Sequence, residues 1–448
     1  MKKITVNLGK TVGHMKPMHA VNNGPVYKFK EDQRVTNIDY FREAGIPYAR
    51  NHDASFYSTY GGEHTVDVHA IFPNFDADEY DEKSYDFACT DEYLRVIDFA
   101  GVKTYYRLGS KIEHGVKKYG TLPPKDFNKW AVICEHIIKH YNYGWANGFN
   151  YGLEYWEIWN EPDLDADDSK NKRTWGGTKE QFFDLFEIAS KHLKKCFPEL
   201  KIGGPALAGD WGWGRDFLLE MKKRGVPLDF FSWHLYTADV AKFKTFVEHW
   251  RNTLNEAGYT DTESILNEWN YVSGWTDDEW IQSIKTMKNY KGAAFIAGAM
   301  EECQGLDVDM LMYYDARPST MNGMFNTDLV CEALKGYYPF YSFNQLYKLK
   351  SAVETKSLSD NLYGCAASNG RDSAIMVTYY DDNDSSDEDV EIEIINPDNL
   401  NGAEAEYYLS DEENNNRLIK REKITATKHS SILRLKMYST VLVKIKTK

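Results

Sequence analysis

A (β/α)8 TIM barrel with an additional C-terminal β-sandwich is the fold class that three observations predict. From about residue 12 to 345, short β-rich runs alternate with longer amphipathic stretches, so that strand, loop and helix recur about eight times. After about residue 350 the texture changes to short alternating runs divided by polar turns. The length of 448 residues exceeds a barrel of about 250 residues by roughly one further module. The expected domains are therefore a barrel over 11–348 and an accessory sandwich over 349–448, which the strand at 1–10 can join. A doubly wound open sheet is the competing architecture, but no Gly-rich phosphate turn of the G-x-G-x-x-G type follows the first strand.

The expected barrel strands lie at 45–50, 103–108, 153–159, 200–203, 229–234, 264–267 and 310–314, with an initial strand near 11–18. Helices fill the gaps. Thr178-Lys179-Glu180-Gln181 is a capping-box pattern that places Phe182, Leu185, Phe186, Ala189 and Leu193 on one stripe. A second helix follows Pro123-Pro124, with Phe127, Trp130, Ala131, Cys134, Ile137 and Ile138 at helical spacing. A third is expected from Trp280 to about Glu301. In the C-terminal part, 373–380, 390–395, 431–435 and 440–445 read as strands, and the acidic run 381–389 as an exposed, mobile loop.

Composition narrows the function. Hydrophobic residues at 42% and charged residues at 27% fit a soluble globular chain, and no apolar run reaches the roughly 20 residues that span a bilayer. The first ten residues hold lysines but no apolar signal-peptide core, so a cytoplasmic location is expected. A net charge of −15 disfavours nucleic acid and anionic membrane as partners. Six cysteines without a C-x-x-C pair argue against a zinc site and a disulfide framework, and neither a metal nor an organic cofactor is implied. The 31 tyrosines and 12 tryptophans suit a protein that packs the flat C–H faces of sugar rings on aromatic side chains, although aromatics also fill cores.

Trp159-Asn160-Glu161-Pro162 stands at the C-terminal end of the fourth expected strand, and Asn267-Glu268-Trp269-Asn270 at the end of the seventh. Side chains converge at that end of a barrel. Hydrolysis of a glycosidic bond with retention needs a carboxylic acid to protonate the leaving oxygen and a carboxylate to attack from the opposite face, about 5–5.5 Å away. Strands four and seven face each other across the mouth, so Glu161 and Glu268 form such a pair.

With these motifs the sequence resembles the clan of retaining barrel glycosidases, and within it glycoside hydrolase family 39, the β-xylosidases and α-L-iduronidases. The resemblance implies Glu161 as acid/base and Glu268 as nucleophile. It also places Arg50, at the end of strand two, where the clan has an arginine that keeps the nucleophile ionised. His234 and Tyr236, in Trp233-His234-Leu235-Tyr236, stand where the clan keeps a His and a Tyr near the two glutamates. The physical roles agree: Arg50 favours the charged form of Glu268, and burial raises the pKa of Glu161. Asn160 suits the sugar 2-hydroxyl and Tyr236 the rotamer of Glu268. His234 and His52 read either as pocket lining or as satisfied core histidines.

Strand eight ends Tyr313-Tyr314-Asp315-Ala316-Arg317, where many clan members carry a tryptophan platform, so Tyr314 or Trp269 is expected to substitute. Trp213, in Asp210-Trp211-Gly212-Trp213-Gly214, suits a substrate subsite or braces its loop. Asp163-Leu164-Asp165-Ala166-Asp167-Asp168 begins like a calcium loop but lacks its glycine and final glutamate, and reads as an acidic loop. Gly61-Gly62-Glu63-His64 suits a lid or a subsite wall. The expected activity is β-xylosidase-like cleavage of terminal sugars from an oligosaccharide or glycoside. A β-galactosidase, β-glucosidase, arabinosidase or endo-acting glycanase remains open, as does a non-catalytic carbohydrate-binding barrel. A metal-dependent enzyme is disfavoured because no convergent His/Asp/Glu set stands out at strand ends.

Overall fold

The structure is a computed structural model and describes residues 1–30, 33–53, 65–327, 331–383, 386–395 and 402–447. The proposed lid at residues 61–64 lies outside them. Eight parallel strands close into a barrel: Ala20–Asn22, Tyr48–Arg50, Lys103–Leu108, Tyr155–Ile158, Lys201–Leu207, Phe230–Tyr236, Glu263–Asn270 and Met310–Tyr313. Closure removes the open-sheet alternative.

The first strand differs from its expected place at 11–18. Residues 11–14 end the long strand Lys2–His14, where Thr11, Gly13 and His14 pair with Val353, Ala352 and Ser351 of the accessory sheet. The true first barrel strand is three residues long, too short to leave a periodic signal, and is held by Ala49 on one side and Met312 and Tyr313 on the other.

Alternation along the strands sorts side chains into layers. Ala20, Tyr105, Tyr155, Phe230, Ile265, Met310 and Met312 form a largely apolar plug inside the barrel. Two residues further along, the inward positions turn polar: Asn22, Arg50, Glu157, Ser232 and Asn267, all fully buried. Their outward neighbours Val21, Ala49, Trp156, Ile158, Phe231, Trp233 and Leu266 join the core under the helices. The helices Phe127–Tyr143 and Lys179–Cys196 form as expected, capped by Asp126 and by the Thr178–Gln181 box. The third is two helices, Asp277–Met287 and Tyr290–Gln304, because the Asn289 side chain accepts from the backbone of Lys291 and Gly292 and starts a second one.

The accessory module is one nine-stranded sheet whose strands enclose a single second core. Strand Lys2–His14 lies between Ser351–Ser357 and Glu388–Ile395 and runs parallel to the latter. One face shares the barrel core through Cys365, Ala367, Ala374, Met376 and Leu442. The acidic run begins as an anchor, contrary to expectation: Asp382 accepts from Tyr271 Oη and pairs with Lys291, both at 2.8 Å.

At this seam Glu301 is buried, its Oε1 accepting from Thr378 Oγ1 at 3.0 Å while Oε2 meets no partner among the described residues. Burial pushes its carboxyl well up, so the folded chain keeps a proton that the unfolded chain releases near the ordinary value. The stability gained from that proton is complete at low pH and is lost as pH rises from the unfolded toward the folded pKa, at about 1.4 kcal/mol per unit. Glu301→Gln, neutral at every pH, is therefore expected to gain in Tm over the wild type between pH 5 and 8 by calorimetry. A difference that stays constant would mean that Glu301 is ionised.

Candidate active site

The polar layer converges on Arg50. Its Nε donates to Glu157 Oε2 at 2.7 Å, Nη1 to Glu268 Oε1 at 2.7 Å and to Asn22 Oδ1 at 3.1 Å, and Nη2 to Asn160 Oδ1 at 2.6 Å. Glu157 Oε1 in turn accepts from Tyr105 Oη, Ser232 Oγ and Asn267 Nδ2. A fixed guanidinium fork thus fastens strands one, two, four and seven beneath the mouth. Glu157 and Asn22 were not among the sequence candidates. A glutamate between Trp156 and Ile158 in a strand with both faces covered was the available signal for the first.

Glu161 arrives by an unusual backbone. Trp159 and Glu161 have φ of 74° and 49°, conformations that cost a side-chain-bearing residue about 1–3 kcal/mol each. Surrounding bonds hold them: Trp159 N and Nε1 donate to Leu108 O at 2.7 Å and Thr174 O at 2.8 Å, and Glu161 N donates to Ala206 O at 2.8 Å. Asn160 and Glu161 both turn inward as a result. On strand seven a register shift between Leu266 and Glu268 has the same effect. The bulge lets consecutive Asn267 and Glu268 face the axis and sends Trp269 outward.

An oxygen of Glu161, an oxygen of Glu268 and a nitrogen of His234 all lie within 4.8 Å of one another. Glu268 is fastened on both oxygens, Oε1 by Arg50 and Oε2 by Tyr236 Oη at 2.8 Å. Glu161 meets His234 Nδ1 at 2.9 Å. Burial pushes the Glu161 carboxyl up to about 7, against the attraction of Arg50 and Arg173. Burial raises Glu268 as well, but His234, Arg50 and Tyr236 oppose it. The guanidinium touches Glu268 and not Glu161, an asymmetry that favours the negative charge on Glu268 and the proton on Glu161. Burial lowers His234 to about 4, and Tyr236 is pushed well up, so both are neutral.

His52 is neutral too, chiefly through burial. Its Nδ1 accepts from Arg107 Nε at 3.2 Å, which puts its proton on Nε2, 3.7 Å from Glu268 Oε1. Tyr314 Oη donates to Asp53 Oδ2, and its ring stands 6.4 Å from that of His52 and 6.5 Å from that of Tyr236. Asp53, Asp315 and Arg317 complete this side of the mouth, Arg317 Nη2 lying 3.4 Å from Asp315 Oδ2 and 3.8 Å from Asp53 Oδ2.

Two expected binding residues lie elsewhere. Trp269 is fully buried among Phe243, Phe295 and Tyr313, and Trp213 packs on Phe182, Phe183 and Phe217 between two outer helices. Trp269→Ala is accordingly expected to cost about 3–5 kcal/mol in denaturant unfolding. A loss below 1 kcal/mol would return it to the surface. The acidic loop after strand four is structural: Asp163 accepts from the backbone of Ala208, Gly209 and Asp210, and Asp165 pairs with Arg173 at 2.7 Å. Glu161, His234 and Glu268 do converge at strand ends, contrary to the expectation that no His/Asp/Glu set would. The Arg50 guanidinium against Glu268 makes it a poor seat for a cation.

A barrel whose fourth and seventh strands present a close carboxylate pair is the arrangement of a retaining glycosidase. The model of glycosyl hydrolases family 39 matches residues 2–268, more than half of the chain, which therefore belongs to that family. A β-xylosidase of Caldicellulosiruptor saccharolyticus is 29% identical over 252 residues, covering 53% of this chain and 47% of the relative. A β-xylosidase of Geobacillus stearothermophilus is 35% identical over 136 residues, 29% of this chain and 24% of the relative. The matches thus span half or less of those relatives' length. The crystal structure of a glucosidase from Croceicoccus marinus superposes with a TM-score of 0.80 at 21% identity, covering 100% of this chain and 99% of that one, a likeness of fold. Among the described residues no helix is long and apolar enough to cross a membrane.

Proposed function

We propose that the protein is a retaining glycoside hydrolase that removes terminal β-linked xylosyl residues. The observation that carries this reading is the close approach of Glu161 and Glu268, with the Arg50 guanidinium paired to Glu268. With an oxygen of each within 4.8 Å of the other, the pair fits the roughly 5–5.5 Å spacing of a retaining enzyme better than the spacing of about 6.5–9.5 Å at which an inverting pair holds a water between its carboxylates. Glu268 attacks the anomeric carbon as Glu161 passes its proton to the leaving oxygen. The resulting ester neutralises Glu268, which lowers the proton affinity of Glu161 and fits it to take a proton from the incoming water. Asn160, whose Oδ1 is occupied by Arg50, offers its amide N–H groups to the sugar 2-hydroxyl. The xylosyl preference is supported by the two β-xylosidase relatives. An iduronate carboxylate would need a cation, and Arg317 at the mouth already faces two carboxylates.

The test is hydrolysis of aryl β-xyloside, β-glucoside, β-galactoside and α-L-arabinoside, with the product anomer read by NMR. The expected result is highest kcat/KM on the xyloside, with retention. Because Glu161 must carry its proton, kcat/KM is expected to fall as pH rises through about 7. Inversion at the anomeric centre would overturn the mechanism, and a preference for another sugar the substrate.

A further inference from the structure

Trp275 is unexplained by the catalytic machinery. It is 65% exposed, in the loop after strand seven, whereas tryptophan is on average largely buried. The loop does not leave it loose. Its ring stacks on Trp280, with centroids 5.4 Å apart and planes at 17°. The backbone on either side is pinned: Thr276 and Glu279 form a capping box, Thr276 Oγ1 donates to Glu279 Oε2 at 2.8 Å, and Ser273 N donates to Ser283 Oγ at 3.0 Å. At Gly274 a Cβ would lie 2.1 Å from Glu279 Oε2, so the chain reaches Trp275 through a position that a side chain would disturb. The ring also stands edge to face with Tyr236, centroids 5.7 Å apart, and Tyr236 Oη is the donor to Glu268. An immobilised, solvent-facing indole one side chain away from the nucleophile is a preorganised stacking surface.

The polarity of the mouth decides what stacks there. The side built from strands one, two and eight carries Asn23, Asp53, Tyr314, Asp315 and Arg317, groups suited to the hydroxyls of the sugar being cleaved. The strand six–seven side presents the Trp275–Trp280 pair, suited to the C–H face of a second ring.

We propose that Trp275 is the platform for the leaving-group ring, a sugar or aryl aglycone, and so sets the preference of the enzyme for what the terminal sugar is attached to. The inference rests on the glycosidase reading above. No new bond is involved: the platform binds the ring before cleavage and binds an acceptor sugar when the glycosyl-enzyme is intercepted.

The test compares wild type, Trp275→Ala and Trp275→Phe on xylobiose and on β-D-xylosyl fluoride, whose leaving group has no ring. Trp275→Ala is expected to lower kcat/KM on xylobiose about 10- to 100-fold, the range of one lost stacking contact, with Trp275→Phe intermediate. The fluoride should be hydrolysed within about twofold of wild type, which shows that fold and dyad are intact. Equal losses on both substrates, or none on either, would overturn the platform while the glycosidase reading stands. A wild type inert toward both would overturn the xylosidase reading and the platform with it.

Discussion

Glu268→Ala is expected to lower kcat on an activated aryl xyloside by about 10⁴-fold or more, because the nucleophile of a concerted constellation carries most of the chemistry. Azide should restore turnover in the cavity left behind and give the α-xylosyl azide, the anomer opposite to the substrate. Glu161→Ala should behave differently. An activated phenol leaves without a proton, so the first step survives, glycosyl-enzyme accumulates, and azide yields the β-azide. The two product anomers separate nucleophile from acid/base. If both variants keep more than a tenth of the wild-type rate, neither residue has the role given to it.

Arg50→Met is expected to have the second-largest effect, and on two observables. It strips the cation from Glu157 and Glu268, both buried, and uncompensated buried charge of this kind costs about 3–5 kcal/mol. Its loss also removes an attraction that opposes the raised proton affinity of Glu268. The acid limb of the pH–rate profile should therefore move up, and the basic limb, set by Glu161, should move up with it because Arg50 also holds the Glu161 carboxyl down, so the whole bell shifts to higher pH. Arg50→Lys keeps a charge but not a fork that reaches Glu157, Glu268, Asn22 and Asn160 together, so it should recover stability less than half-way. A variant destabilised without any movement of the acid limb would reduce Arg50 to scaffolding.

The eightfold alternation and both strand-end glutamates were legible in the chain because each rests on local pattern: apolar runs for strands, capping residues for helices, Asn-Glu at a strand end. What escaped depends on where a side chain points after the pattern breaks. Strict alternation from Asn267 would aim Trp269 inward, and only the bulge before Glu268 reverses it. His234 and Tyr236, two apart on an unbroken strand, both face the mouth as alternation requires. Trp213 sits at the start of a helix, where local composition does not say whether the ring turns to the mouth or to Phe217. Trp275 was overlooked because its meaning lies in its exposure and in its neighbour Tyr236, which a linear reading cannot supply. Asn22 was missed with its short strand.

The strand Lys2–His14 sits inside a sheet whose other strands are made only after the barrel, from Ser351 onward. On a ribosome adding about 5–20 residues per second, Ile4 waits roughly 20 to 80 seconds for both Ser357 and Ile392 to be made. During that interval Ile4, Val6 and Leu8 form a nascent apolar edge, the kind of segment that recruits a second nascent chain. Lys2, Lys3 and Lys10 bracket it as gatekeepers whose mutual repulsion opposes such pairing. Once those strands are made, Lys3 closes on Glu391 and Glu393, and Lys10 on Glu354. The same charges thus guard the strand against strangers and then help select its proper neighbours, making assembly of the accessory sheet a late step that follows synthesis of the barrel.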